Sequence, residues 1–220
     1  MKMLLLPTFL LSMITACHAQ ESFSPNQNSF AFIVSRTQGE KKCDGQECRV
    51  KVTTGSGSGV VIKHENVSTL VITAGHVCKM PIGESHALSV VDNEGNIHQT
   101  INLKLSDKPD LCIIRTADTW GAPLQLSDKE LDYGEHVVSM AAPEGIFERN
   151  MVLVFDGRYS GQTSNGDKIF TLPCAPGSSG SAVLNQDGKI VSIVHSAAKN
   201  FQNIAIGSNM ADIQKFINEF

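Results

Sequence analysis

The 220 residues allow one large domain or two small barrels sharing a core, and the six cysteines raise the question of disulfides. A formal net charge of −4, with no run of Lys and Arg, leaves no footprint for nucleic acid. No apolar stretch after the N-terminus is long enough to cross a bilayer.

The chain opens with a positive Lys2, an apolar run from Met3 to Ile14, and small residues at Ala16 and Ala19, the pattern of a secretory signal peptide. Two cleavage patterns fit. Cleavage after Ala19 gives a signal of residues 1–19. Ile14-Thr-Ala-Cys17 resembles a lipobox, which gives a signal of 1–16 and a lipid anchor on Cys17. Both place the mature protein outside the cytoplasm, in the periplasm, secreted or anchored to the membrane. Residues 20–29 are polar and read as a linker.

From Phe30 the chain becomes short β-type runs punctuated by Gly, Asn and Asp. Phe30–Val34, Val50–Thr53, Gly59–Ile62, Leu70–Thr73, Ala87–Val91, Ile97–Leu105 and Leu111–Arg115 form a first group. Asp92-Asn-Glu-Gly95 is a hairpin turn between two of them. Glu135–Met140, Met151–Tyr159, Lys168–Leu172, Ser181–Leu184 and Lys189–His195 form a second, with Asn185-Gln-Asp-Gly188 as another hairpin. One helix is expected, at the end, capped by Ser208 or Asn209 with Met210, Ile213, Phe216 and Ile217 on one face. The expectation is an all-β barrel fold with a C-terminal helix. No internal repeat is visible.

Three segments carry residues of acyl-transfer chemistry. His76 follows the apolar strand Val71-Ile-Thr-Ala-Gly75, Asp110 opens the apolar strand Leu111–Arg115, and Ser179 lies in Ala175-Pro-Gly-Ser-Ser-Gly180. A serine hydroxyl needs an adjacent base, a histidine can supply it near neutral pH, and a carboxylate fixes the imidazole tautomer. Gly177 lets the chain turn so that the N–H groups of Gly177 and Ser179 aim at one oxyanion. No CxxC or HExxH spacing occurs, so no metal is expected, and the chemistry needs no cofactor.

These segments resemble the chymotrypsin-like (trypsin-like) serine proteases, in particular the HtrA/Deg-type protease domain. Gly55-Ser-Gly-Ser-Gly59-Val-Val-Ile, Val91–Arg115, Leu124–Pro143 with Tyr133-Gly-Glu-His-Val-Val, Gly188–Val194 and Ile204–Met210 extend the resemblance over most of the mature chain. It implies two six-stranded antiparallel barrels, about 30–118 and about 119–220, with the triad His76, Asp110 and Ser179 in the cleft between them. The reaction implied is endopeptidase cleavage of peptides or unfolded proteins through an acyl-enzyme. The family often assembles as oligomers. No PDZ module is expected after the terminal helix, Ser178 stands where the family has Asn or Asp, and Ser181 resembles glutamyl endopeptidases. A catalytically silent module of the same fold, binding or chaperoning unfolded chains, is the alternative reading.

On the family pattern, Val194 lines the primary specificity pocket, with Pro173 at its floor and Ser196 on the bordering strand. The absence of an acidic residue at Pro173 points to a small or medium apolar side chain before the scissile bond. His195 is the rival feature, because glutamyl endopeptidases place a His in this pocket; a one-residue bulge would be needed to turn it inward. Among the cysteines, Cys43 and Cys48 flank a turn suited to a local disulfide. Cys78 and Cys112 are either a disulfide bracing the triad or two small buried side chains. Cys174 is expected to be a free thiol.

Overall fold

Two apolar runs, Leu70-Val-Ile72 and Leu111-Cys-Ile-Ile114, lack polar alternation because the strands that carry them are buried on both faces. In the computed structural model, which describes residues 23–45, 47–79 and 85–220, Leu70, Ile72, Leu111 and Ile113 face one core. Val71, Cys112 and Ile114, half a period away, face another. The first core lies between two barrels, and the second fills one of them. Both signal-cleavage alternatives, including the lipid anchor on Cys17, fall outside the described residues.

The first barrel comprises β1 (Phe30–Asp44), β2 (Glu47–Glu65), β3 (Ser68–Ala74), β4 (Ser85–Asp92), β5 (Ile97–Asp107) and β6 (Asp110–Thr116). It closes in the order β1-β2-β3-β6-β5-β4. The second comprises β7 (His136–Ala141), β8 (Leu153–Gln162), β9 (Lys168–Phe170), β10 (Ala182–Leu184), β11 (Ile190–Ala198) and β12 (Phe201–Gly207), closing as β10-β11-β12-β9-β8-β7. Read around the ring, that is the first order with six added to every number. The topology therefore repeats although the sequence shows no repeat.

A short helical turn, α1 (Gly75–Cys78), follows β3, and α2 (Met210–Asn218) ends the chain. Asn209 caps α2, its side chain accepting from the Asp212 N–H. Met210, Ile213 and Phe216 pack into the core between the barrels and fix the helix across both.

Several elements differ from the sequence expectation. Val50–Thr53 and Gly59–Ile62 are parts of one long strand, since Gly55–Ser58 continue the ladder opposite Ser35 to Phe32 instead of turning. Strand β12 did not emerge from the propensity reading, because Phe201-Gln-Asn lacks alternation and only Ile204 onward looks β-like. The 20–29 linker is in part docked. Phe23 packs against the inter-barrel core, Gln27–Ser29 forms a 3-10 turn capped by Asn26, and Ser29 is buried.

Disulfides join Cys43 to Cys48 near the tip of the β1–β2 ribbon and Cys78 of α1 to Cys112 of β6. Among the described residues Cys174 is the free cysteine, and it is buried.

Candidate active site

Pairing of β3 with β6 sets Ala74 opposite Leu111, so the residues just past Ala74 meet the residue just before Leu111. That register brings His76 to Asp110. Gly75 is required for the approach. A Cβ there would stand 2.6 Å from Asp110 Oδ1 and 2.5 Å from the Ser106 carbonyl. Asp110 Oδ1 accepts the His76 backbone N–H at 2.8 Å, and Oδ2 pairs with His76 Nδ1 at 2.7 Å. A carboxylate only accepts, so Nδ1 carries the proton and Nε2 is left as the basic nitrogen.

Burial pushes the Asp110 carboxyl up, but the hydrogen bond and charge of His76, its backbone N–H and the charge of His195 outweigh that effect. The net result is a carboxyl held below its ordinary range. Asp110 therefore stays ionised at neutral pH.

The Ser179 turn is seated on the first barrel by its backbone. The Ser58 N–H donates to the Ser179 carbonyl at 2.8 Å, and Thr73 Oγ1 donates to the Ser58 carbonyl at 2.7 Å. Gly180 has a φ of 88°, and a Cβ there would overlap Thr73 Oγ1 and the Ser58 carbonyl. Gly57 lies between Val77 and the Ser179 carbonyl, with no room for a Cβ against Val77. Val77 adjoins His76, so Gly57 lets the two turns close on each other. The Ser179 turn is thus packed beside the turn that carries His76. No hydrogen bond joins Ser179 to His76 among the described residues.

The segment before Ser179 is also anchored. Ser58 Oγ donates to the Gly177 carbonyl at 2.8 Å and accepts from the Ala142 N–H at 3.0 Å. The Glu144 N–H donates to the Pro176 carbonyl at 2.6 Å. In a trans peptide the C=O and N–H point opposite ways, so the Gly177 N–H is directed away from Glu144. Neither the Gly177 nor the Ser179 N–H has an internal partner among the described residues. Phe147 stacks on Phe32 at 4.9 Å and holds the 142–147 segment in place. Ser178 is buried and its hydroxyl accepts from the Ala175 N–H at 3.2 Å, which accounts for a Ser at a position where the resemblance leads one to expect Asn or Asp.

The four specificity residues separate. Val194 is buried with Leu172 and Cys174 in the core of the second barrel, and Pro173 and Ser196 are exposed. The Cys174 thiol lies 3.9 Å from the Ser196 carbonyl. Burial pushes that thiol's pKa up. A bulge does occur between Val194 and Ser196. It turns His195 toward the Asp110 side of the cleft, where Nε2 lies 3.5 Å from Asp167 and Nδ1 lies 3.1 Å from Ser196 Oγ.

Sequence reasoning missed Ser58, Gly57 and the 142–145 segment as parts of the site. The signal for the first two was present in Gly55-Ser-Gly-Ser-Gly59, whose alternate glycines admit a close backbone approach.

Paired six-stranded barrels with a His–Asp pair and a serine turn at their junction define the chymotrypsin-like class. The trypsin-like peptidase domain family matches residues 57–193, and the chain belongs to that family. It is 31% identical over 153 residues to the serine protease Do-like HtrA of Bacillus subtilis, covering 64% of this chain and 33% of the relative. The chain thus spans about a third of that relative's length. Among solved structures, the HtrA-type protease AlgW with a decapeptide has a TM-score of 0.69 at 16% identity, over 88% of this chain and 64% of that one. A protease of Mycobacterium tuberculosis in its active form gives 0.66 at 16%, over 86% and 79%. A serine endoprotease from Yersinia pestis gives 0.66 at 16%, over 88% and 63%. At these identities the structures speak for the fold.

Proposed function

We propose that the chain is a serine endopeptidase with Ser179 as nucleophile, His76 as general base and acid, and Asp110 as the group that orients His76. The observation that carries this reading is the double grip of Asp110 on His76, through backbone N–H and Nδ1, beside a serine turn whose two N–H groups are unspent.

Ser179 Oγ transfers its proton to His76 Nε2 as it attacks the scissile carbonyl. Asp110 stabilises the imidazolium that forms. Negative charge on the carbonyl oxygen falls to the Gly177 and Ser179 N–H groups, each contributing about 3–4 kcal/mol in sites of this kind. His76 then protonates the leaving amine, and an acyl group remains on Ser179 Oγ. Water deprotonated by His76 releases it.

The substrate class is peptides or unfolded proteins met outside the cytoplasm. Two disulfides and the N-terminal signal pattern support that compartment. The residue before the scissile bond is small or medium and apolar, received beside the exposed Pro173 and Ser196.

A fluorescent fluorophosphonate tests the reading. Labelling of the wild type but not of Ser179→Ala, with labelling of His76→Ala strongly slowed, is the expected result. A folded wild type that neither labels nor cleaves an unfolded protein would sink it and favour a silent binding module.

A further inference from the structure

Beside Asp110 lies a cavity of about 550 Å³ whose other lining residues the proposed reaction does not use. Asp107, Asp110, Asp167 and Asp212 line it, and Lys108 and His195 are the basic groups on its wall. Outside the wall, Lys79 pairs with Asp107 at 2.9 Å. With both lysines counted the carboxylates remain in excess. Potential in such a cleft is negative, and a cleft concentrates it.

A second feature is independent of the carboxylates. Ser208 is 2% exposed, lines the same cavity, and its hydroxyl has no hydrogen-bond partner. A buried hydroxyl without a partner costs about 1–3 kcal/mol, and a donor entering the cavity would relieve it.

The cavity is placed to meet a bound peptide. Strand β11 pairs with β10 as far as Ile193 and with β12 from Val194 onward. Opposite β12, the edge from His195 to Ala198 is therefore unpaired among the described residues. An extended peptide can add to that edge. With the residue before the scissile bond at the Val194 end of that edge, the chain N-terminal to it runs past His195 and over the cavity mouth. His195 is already engaged, by Asp167 on one nitrogen and Ser196 on the other, so it frames the opening rather than filling it.

We infer that this cavity is a subsite for the cationic side chain, lysine or arginine, of a substrate residue on the N-terminal side of the scissile bond. The inference rests on the endopeptidase reading and names the substrate class of that same cleft. A lysine ammonium or an arginine guanidinium carries only donors, so it suits the carboxylates and the Ser208 hydroxyl alike.

The test uses binding to the full chain carrying Ser179→Ala, so that it does not depend on turnover. Fluorescent peptides with an apolar residue before the scissile bond carry lysine, arginine, norleucine or glutamate at each of the three preceding positions. At one position, lysine and arginine should bind about fivefold or more tighter than norleucine, with glutamate weakest. The preference should shrink at roughly 0.5 M salt. Asp167→Asn should bring the lysine-to-norleucine ratio down toward one, whereas Asp187→Asn, a carboxylate on the turn between β10 and β11, should leave it. Equal binding of lysine and norleucine at every position, or no peptide binding, overturns the subsite. Cleavage and fluorophosphonate labelling of the wild type, run in parallel, report separately on the endopeptidase reading.

Discussion

Replacing Ser58 by Ala is the sharpest test of how the cleft is held together. The side chain is fully buried, and its one oxygen serves two partners in the second barrel, the Gly177 carbonyl at 2.8 Å and the Ala142 N–H at 3.0 Å. Truncation leaves a donor and an acceptor without partners in a dry interface. Each such group costs about 1–3 kcal/mol, so the whole-domain loss should be about 2–6 kcal/mol. The backbone bonds of Ser58 to Ser179 and Thr73 survive, so the fold itself should persist. The groups released flank the Gly177 peptide, and the second-order rate of fluorophosphonate labelling should fall along with stability. Urea unfolding and labelling rates of Ser58→Ala are compared with Ser56→Ala, two residues away on the same strand and without these bonds. A loss below about 0.5 kcal/mol, with labelling unchanged, would refute the claim that Ser58 couples the barrels to the nucleophile turn.

Asp110→Asn should keep the fold but lower turnover by about a thousandfold or more, because an amide no longer fixes the imidazole with its proton on Nδ1; steady-state kinetics on an unfolded protein substrate measure this. Gly180→Ala should give poorly folded protein with a lowered thermal midpoint, since its Cβ overlaps Thr73 Oγ1 and the Ser58 carbonyl and its φ is 88°. A midpoint equal to wild type would contradict the packing described. Acid should destabilise the domain. Burial raises the Asp92 carboxyl, but hydrogen bonds from Asn96 and His98 and the charge of His98 more than reverse this, and Asp110 is likewise held low. Both then contribute stability that is complete above their unfolded values, near about pH 4, and is lost as pH falls through the lower folded values. The drop in urea midpoint from neutral to acid pH should therefore be smaller in Asp92→Asn than in wild type.

What could be read in the sequence was what depends on local chemistry. Apolar runs at Leu70–Ile72 and Leu111–Ile114 marked the central strands, and a Ser208 or Asn209 cap with its helical stripe marked α2, where the structure uses Asn209. His76 and Asp110 were legible because each sits at the end of such a run, where an antiparallel register must bring the ends together. The β1–β2 ribbon was not. Gly55-Ser-Gly-Ser-Gly59 has turn-like composition, yet its glycines are there because Ile33, Ser35, Val71 and Val77 come too close for a Cβ. A composition rule sees only flexibility where the structure uses lack of volume.

The same limit hid the inner ties of the site. Ser58 and Gly177 are 119 positions apart, and nothing in either segment names the other. The carbonyls and N–H groups of residues 142–145 and 174–180 act through the backbone, whose donors and acceptors are the same whatever the side chain. Only where that backbone demands a missing Cβ, as at Gly75, Gly177 and Gly180, does the constraint leave a mark in the sequence. His195 shows the converse. Its side chain was legible as a specificity feature, but the facing depended on a one-residue bulge against β12. With a period of two, that single residue decides whether an imidazole enters the Val194 side of the strand or joins Asp110 and Asp167. Chemistry carried by a side chain is therefore readable at once, whereas its direction on an irregular strand is a property of the partner strand and becomes readable only with it.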